Sequence, residues 1–285
     1  MILAALVAAA AVTVHEVPFV FETRQPISIR VRIDGREPPL RFLFDTGASI
    51  HVIDSEVAHR AWLKGRDGGT ITGGGEGRVA VQFVDRVWFD ADRIGWRNQR
   101  AAIVPLRKHY DGMIGAPILS QYVCRFDFAR RILQLIEPGA YTPPPGAVTV
   151  PFELDDGLPI VHATVDAGTG PIDARLMLDT GAGDVFIDLN RPFVDKHRLL
   201  EALPDASATA RPAGIGGTAS FVYGTGRSFV LGGIVFEKPH LGFSRATQGS
   251  SSRSERDGVI GNDLLTRFVA VFDYPNRRLV LEPKP

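Results

Sequence analysis

Asp45 and Asp179 each open an Asp-Thr-Gly triplet, Asp45-Thr46-Gly47 and Asp179-Thr180-Gly181. A carboxyl group is an acid or a base according to its protonation state. Two carboxyl groups held about 3 Å apart supply both at once, because like charges that close cannot both ionise. Such a pair can activate a water molecule and protonate a scissile group without a metal or a covalent nucleophile. A single Asp-Thr-Gly is most simply a turn, since all three residues are common in turns. Two in matched settings, one in each half of the chain, point to a symmetric site where the carboxylates meet.

The flanking sequence says how they are positioned. Each triplet follows an apolar run, Phe42-Leu43-Phe44 and Leu176-Met177-Leu178, and leads to a second apolar stretch ending in Ile53-Asp54 or Ile187-Asp188. This pattern predicts strand, tight turn and strand, with the carboxylate at the turn. The repeat extends well beyond the triplets. Val17-Pro18-Phe19 is matched by Val150-Pro151-Phe152, and Gly73-Gly74-Gly75 by Gly214-Ile215-Gly216-Gly217. Asp111-Gly112-Met113-Ile114-Gly115 is matched by Asp257-Gly258-Val259-Ile260-Gly261, and Phe126-Asp127-Phe128 by Phe272-Asp273-Tyr274. The offset is 134 at the triplets (179 − 45), 141 at the glycine clusters (214 − 73) and 146 at the Asp-Gly motifs (257 − 111), so the second copy carries two modest insertions.

These residues resemble the aspartic peptidases of the retroviral (retropepsin-like) type. The resemblance rests on Asp-Thr-Gly-Ala, on the glycine-rich segments, and on the apolar-apolar-Gly motifs Ile114-Gly115 and Ile260-Gly261, and it covers Val17 to Pro283. It implies an all-β fold of two pseudo-symmetric acid-protease-type β-barrel lobes with short helices and an active-site cleft between them. It also implies that Asp45 and Asp179 form a catalytic dyad and that Thr46 and Thr180 lock the two turns together. Gly47 and Gly181 then allow the tight turns. Gly73, Gly74 and Gly75, with Gly214, Ile215, Gly216 and Gly217, form two flaps closing over an extended peptide or protein substrate. The implied activity is that of an aspartic endopeptidase that needs no metal or organic cofactor. A catalytically inactive peptide-binding protein of the same fold is the alternative.

A chain of 285 residues holds two domains of common size. The formal net charge is zero, so nothing favours a nucleic-acid partner. Cys124 is the sole cysteine and lies in a strand-like apolar segment, which excludes an intramolecular disulfide and reads as a packed thiol. The seven histidines show no zinc spacing, and His15-Glu16 lacks the second histidine of a metallopeptidase helix. The dinucleotide-like run Gly214 to Ala219 is followed by the strand-like Ser220-Phe221-Val222-Tyr223, and Ser244 lacks the glycine frame of a nucleophile elbow.

Residues 1–16 are expected to include a signal peptide, because Met1 to Val14 is apolar and uncharged but too short to span a bilayer. That suits a periplasmic or secreted protein, with a cytoplasmic location as the alternative. Membrane association follows only if the segment stays uncleaved. Residues 17–140 form the expected first lobe and 149–285 the second. Between them, 141–148 make a linker stiffened by Pro143-Pro144-Pro145. Both lobes in one chain imply activity as a monomer.

Local signals fill in the remainder. Ile27, Ile29, Val31 and Ile33 alternate with Ser28, Arg30 and Arg32 as in a half-buried strand. Short helices are expected from Asp54-Ser55 to Trp62, over Ala116 to Gln121, and from the Asn190 cap to about Leu203. The polar stretch Thr247 to Arg256 reads as a solvent-exposed loop.

Overall fold

The computed structural model describes residues 13–22, 25–36, 38–106, 110–202 and 208–284. It is mostly β, with a few helices of one or two turns. No helix among the described residues is long and apolar enough to cross a membrane. Most of the expected signal segment, and the end of the expected helix at Leu203, lie outside the described residues.

A six-stranded antiparallel sheet joins the two halves of the chain. Its order is Val14–Val20, Ile132–Ile136, Val123–Asp127, Val269–Asp273, Arg278–Glu282, Val148–Asp155. Three strands come from each half, and they meet where Phe126 pairs with Ala270 and Cys124 with Phe272. The first strand begins at Val14, so His15 and Glu16 are sheet residues paired with Leu135 and Gln134. Apolar side chains stack beneath this sheet. The Phe126 ring packs edge-on against Phe44 and Phe272, and Phe44 is the residue that precedes Asp45. Cys124 is buried, with its thiol facing the Leu119 carbonyl.

Above this base each half folds its own sheet. In the first half, strand Leu40–Phe44 runs antiparallel to Ser28–Ile33 and parallel to Gly112–Ile114. In the second half, Pro171–Leu178 runs antiparallel to Leu158–Asp166 and parallel to Gly258–Ile260. The alternation in Ser28–Ile33 is the expected one, although Ser28 is buried too and its hydroxyl accepts a hydrogen bond from Arg41. A long hairpin follows in each half. Arg66–Thr72 pairs with Arg78–Ala91, and Thr209–Pro212 pairs with Thr218–Thr225, which leaves tips at 73–77 and 213–217.

The strand registers refine the repeat. Val52 pairs with Met113, and Asp188 with Val259. Asp188 is therefore the counterpart of Val52, and Asp54 corresponds to Asn190, the residue capping the helix in the second half. The Ile53-Asp54 and Ile187-Asp188 motifs are two residues out of step, because two of the inserted residues fall just after the second Asp-Thr-Gly. The caps also differ. The Asp54 carboxylate accepts from the Glu56 and Val57 amides as an N-cap does, at 2.9 and 3.4 Å. The Asn190 side chain makes no capping bond and instead donates to the Arg256 carbonyl at 2.9 Å. Its helix is Arg191–Lys196, followed by a separate 3-10 turn at Leu199–Ala202, where one continuous helix was expected.

Candidate active site

Asp45 and Asp179 sit at the ends of the two central strands and face one another across the join between the halves. A Cβ placed on Gly47 would lie 2.5 Å from Cγ of Asp179, and one on Gly181 would lie 2.7 Å from Cγ of Asp45. Only glycine tolerates that approach, which gives the third triplet position a steric cause. Each Asp folds back on its own turn, with the Gly47 amide donating to Asp45 Oδ1 and the Gly181 amide to Asp179 Oδ1, both at 2.8 Å.

The threonines hold the turns in register with each other. The Thr46 amide donates to Thr180 Oγ1 at 3.1 Å, and the Thr180 amide donates to Thr46 Oγ1 at 3.0 Å. Each hydroxyl in turn donates across the join, Thr46 to the Leu178 carbonyl at 2.8 Å and Thr180 to the Phe44 carbonyl at 2.6 Å. Both threonines are fully buried. These four bonds satisfy every donor of the pair and tie each Asp-bearing strand to the other half.

Gly115 and Gly261 lie behind the turns. The Ile114 carbonyl accepts from the Asp45 amide and the Ile260 carbonyl from the Asp179 amide, each at 2.9 Å. Ala48 and Ala182 close the turns from the other side, accepting from the Ala116 and Asn262 amides at 2.8 and 2.9 Å. The two halves part company at the next bond. Gly261 donates to a backbone carbonyl, that of Phe186, at 3.3 Å, whereas Gly115 donates to Nδ1 of the buried His51 at 3.1 Å. Nε2 of His51 lies 3.1 Å from Oε1 of Gln99, so the ring is neutral with its proton on Nε2. Burial pushes His51 down from about 6.5 to about 4, with the Gln99 contact opposing in part.

The two carboxyl groups stand close enough for the protonation of one to act on the other. Burial raises both pKa values above the ordinary carboxylate range, and the charge of Asp179 raises Asp45 further. Asp179 is held back by Asp45, by the Gly181 amide and by the guanidinium of Arg256. Two carboxyl groups this close share one proton as a pair, and the Arg256 guanidinium favours the charged form of Asp179.

The glycine-rich tips of the two hairpins meet each other across the join between the halves. The Gly75, Glu76 and Gly77 amides donate to the carbonyls of Ile215, Thr218 and Gly216 at 2.9, 3.0 and 2.8 Å. The Ile215 side chain reaches the apolar cluster of the opposite half, built on Leu43, Val52 and Met113. The segment expected to be a plain solvent-exposed loop packs here as well. The Ser250 amide donates to the Gly73 carbonyl at 2.8 Å, and the Thr247 amide donates to the Glu76 carboxylate. Gly249 and Ser251 are buried, although Thr247 and Gln248 remain exposed. Backbone groups make the main contacts, so polar composition gave no sign of them. His51, Arg256, Arg211 and Asp188 also escaped the sequence reading. The signal for Asp188 was present, as a charged residue ending an apolar strand, but the out-of-step Ile-Asp motifs concealed its counterpart. Among the described residues no group of three or more His, Cys, Asp or Glu side chains is placed to hold a metal ion.

Residues 29–118 match the aspartyl protease family model. No curated protein matches the chain in sequence. Among solved structures, the chain is similar to an aspartic proteinase from Irpex lacteus, with a TM-score of 0.62 over 95% of this chain and 98% of that one, at 13% identity. The chain thus has the aspartic-proteinase fold over 95% of its length, and within it the segment containing Asp45 matches the aspartyl protease family.

Proposed function

We propose that this chain is an aspartic endopeptidase, with one lobe at 17–140, a linker at 141–148 and a second lobe at 149–285, and that Asp45 and Asp179 are its catalytic residues. The observation that supports this most is the pair of threonine-locked turns, which bring two largely buried carboxyl groups face to face across the join between the halves. A protein that only bound peptides would need the cleft but not a buried carboxyl pair, which is costly to desolvate.

The chemistry is general acid–base catalysis. Asp179 takes a proton from a water molecule whose oxygen bonds to the peptide carbonyl carbon, and Asp45 gives its proton to the carbonyl oxygen. The resulting gem-diol collapses as the C–N bond breaks. The amine nitrogen leaves with the proton held by Asp179, and a gem-diol hydroxyl returns its proton to Asp45. Substrate lies extended beneath the paired tips as an added strand, taking backbone hydrogen bonds from them.

Asp45→Asn and Asp179→Asn, made singly, test the reading. Each should lower kcat on a cleavable peptide by at least about 10²-fold while the fold, read by circular dichroism, is unchanged. Substantial turnover in either variant removes the shared-dyad mechanism. A wild-type protein that binds a hydroxyl-bearing transition-state mimic but cuts nothing is a peptide-binding protein instead.

A further inference from the structure

Strand register allows the walls flanking the dyad to be compared residue by residue. On the first-half side they are apolar. Leu43, Val52, Val81, Val104 and Met113 form one buried cluster, with Ile71 and Tyr110 packed against it. The second half carries different chemistry at the same places. Asp188 stands where Val52 stands, since each pairs with the middle residue of the strand before the apolar-Gly motif. Phe83 pairs with Ala102 and Tyr223 with Gly242, so hairpin position 83 corresponds to 223 and, within the same hairpins, Ile71 to Arg211. Tyr110 precedes Asp111 and Arg256 precedes Asp257, two aspartates that play the same part by accepting from the Arg41 and Arg175 amides at 2.7 and 2.8 Å.

These replacements form one unit. The Arg211 guanidinium contacts the Asp188 carboxylate, bonds Asp184 at 3.0 Å, and lies 4.6 Å from the centre of the Phe221 ring. Asp188 fits because its neighbour is Gly242, where a Cβ would stand 2.0 Å from Asp188 Oδ1; the first half has Ala102 there. Both terminal nitrogens of Arg211 are bonded, but its Nε is buried without a partner. Arg256 carries its charge close enough to act on Asp179, and its Nη1 rests 2.6 Å from the Met177 sulfur, on the wall of the same side. No carboxylate pairs with Arg256 among the described residues. On the second-half side, Nε of Arg211 and the Arg256 guanidinium thus keep donors that no carboxylate among the described residues takes up. A buried donor left unpaired is costly, and a charged acceptor is its strongest partner.

Resting on the endopeptidase reading, we infer that the two sides of the scissile bond are recognised by different chemistry. The side chain lying on the first-half wall is apolar. The one lying on the second-half wall ends in a carboxylate or carboxamide, and Arg211 and Arg256 are the residues that select it. The join between the halves relates the two walls by a pseudo-twofold, and neighbouring side chains of an extended peptide point in opposite directions. The residues on either side of the cut therefore fall on opposite walls.

The test is digestion of a peptide library by the wild type, by Asp188→Val/Arg211→Ile, which installs the first-half residues, and by Arg256→Tyr. In the wild type, sites pairing an apolar residue with Glu, Gln, Asp or Asn should be cut at least about tenfold more efficiently than sites with apolar residues on both sides. The double variant should erase that ratio and Arg256→Tyr should reduce it. Arg256 lies at a partly exposed position, so its variant carries the test if the double variant fails to fold. Apolar preference on both sides in the wild type, enrichment of Lys or Arg, or an unchanged ratio in the folded variants overturns the inference. Absence of any cleavage by the wild type is a separate result, which removes the endopeptidase reading on which the inference stands.

Discussion

His51 should set an acid limit on this fold that has nothing to do with the dyad's own titration. Its ring is fully buried, accepts from the Gly115 amide through Nδ1 and titrates at about 4 in the folded chain, against about 6.5 unfolded. The folded pKa is depressed, so between those values the unfolded chain binds more protons, and stability falls as pH falls. The contribution is fully present above about pH 6.5 and mostly lost by pH 4. A difference of about 2.5 pH units corresponds to about 3 kcal/mol, a large part of the stability of an ordinary domain. The dyad works in the opposite sense. Its raised carboxyl pKa values contribute stability that is present below the unfolded carboxyl value and lost as pH rises, so wild-type data alone mix the two effects. A His51→Leu variant separates them. It should be less stable at pH 7, since the Gly115 amide loses its acceptor, but the deficit should shrink by about 3 kcal/mol between pH 7 and pH 4, which is enough to cancel or reverse it. Urea unfolding of both proteins at four or five pH values measures this directly. A deficit that stays constant across the window would show that His51 is not a buried neutral base, and the reasoning would fail.

Two further outcomes follow from the same geometry. Both aspartates come from one chain, so specific activity should be independent of protein concentration, and a loss on dilution in step with dimer dissociation would place the site between two chains. Each triplet is followed by alanine, Ala48 or Ala182, so neither carboxylate has a side-chain hydroxyl donor at that position; Ala48→Ser should stabilise the ionised form, lower the first ionisation of the dyad and move the acidic limb of the pH–activity profile to lower pH. An unmoved limb would mean that the new hydroxyl does not reach Asp45.

The parts of the molecule that were legible in the sequence are those in which residue type alone dictates geometry. Apolar runs ending in Asp-Thr-Gly could hardly be other than strands leading to a turn, and their duplication implied that the two turns meet. Ile27, Ile29, Val31 and Ile33 announced a strand by period two, and all four are buried. What stayed hidden depends on register or on backbone partners. Seven histidines without metal spacing gave no reason to single out His51, because an acceptor for one buried amide leaves no pattern. The polar segment after Arg245 engages the first hairpin tip chiefly through the Ser250 and Thr247 amides, and any residue type could supply those.

The least legible feature bears most on how the site is used. An internal repeat invites the assumption that matched positions do matched work, and for the threonine lock they do. Yet the two residues inserted after the second triplet let Ile-Asp recur in both halves while Asp188 moved into the place of Val52. An aspartate in an apolar wall is unstable without a counter-charge and space. Arg211 supplies the first and Gly242 the second, so the three residues make sense only together. Arg256 adds a charge on the same side and biases the dyad's negative charge toward Asp179. The asymmetry that selects one kind of substrate side chain is thus also the asymmetry that separates acid from base, and changing Arg256 should move both. An Arg256→Tyr variant that altered the cleavage preference while leaving the acidic limb of the pH–activity profile untouched would show that the two are independent.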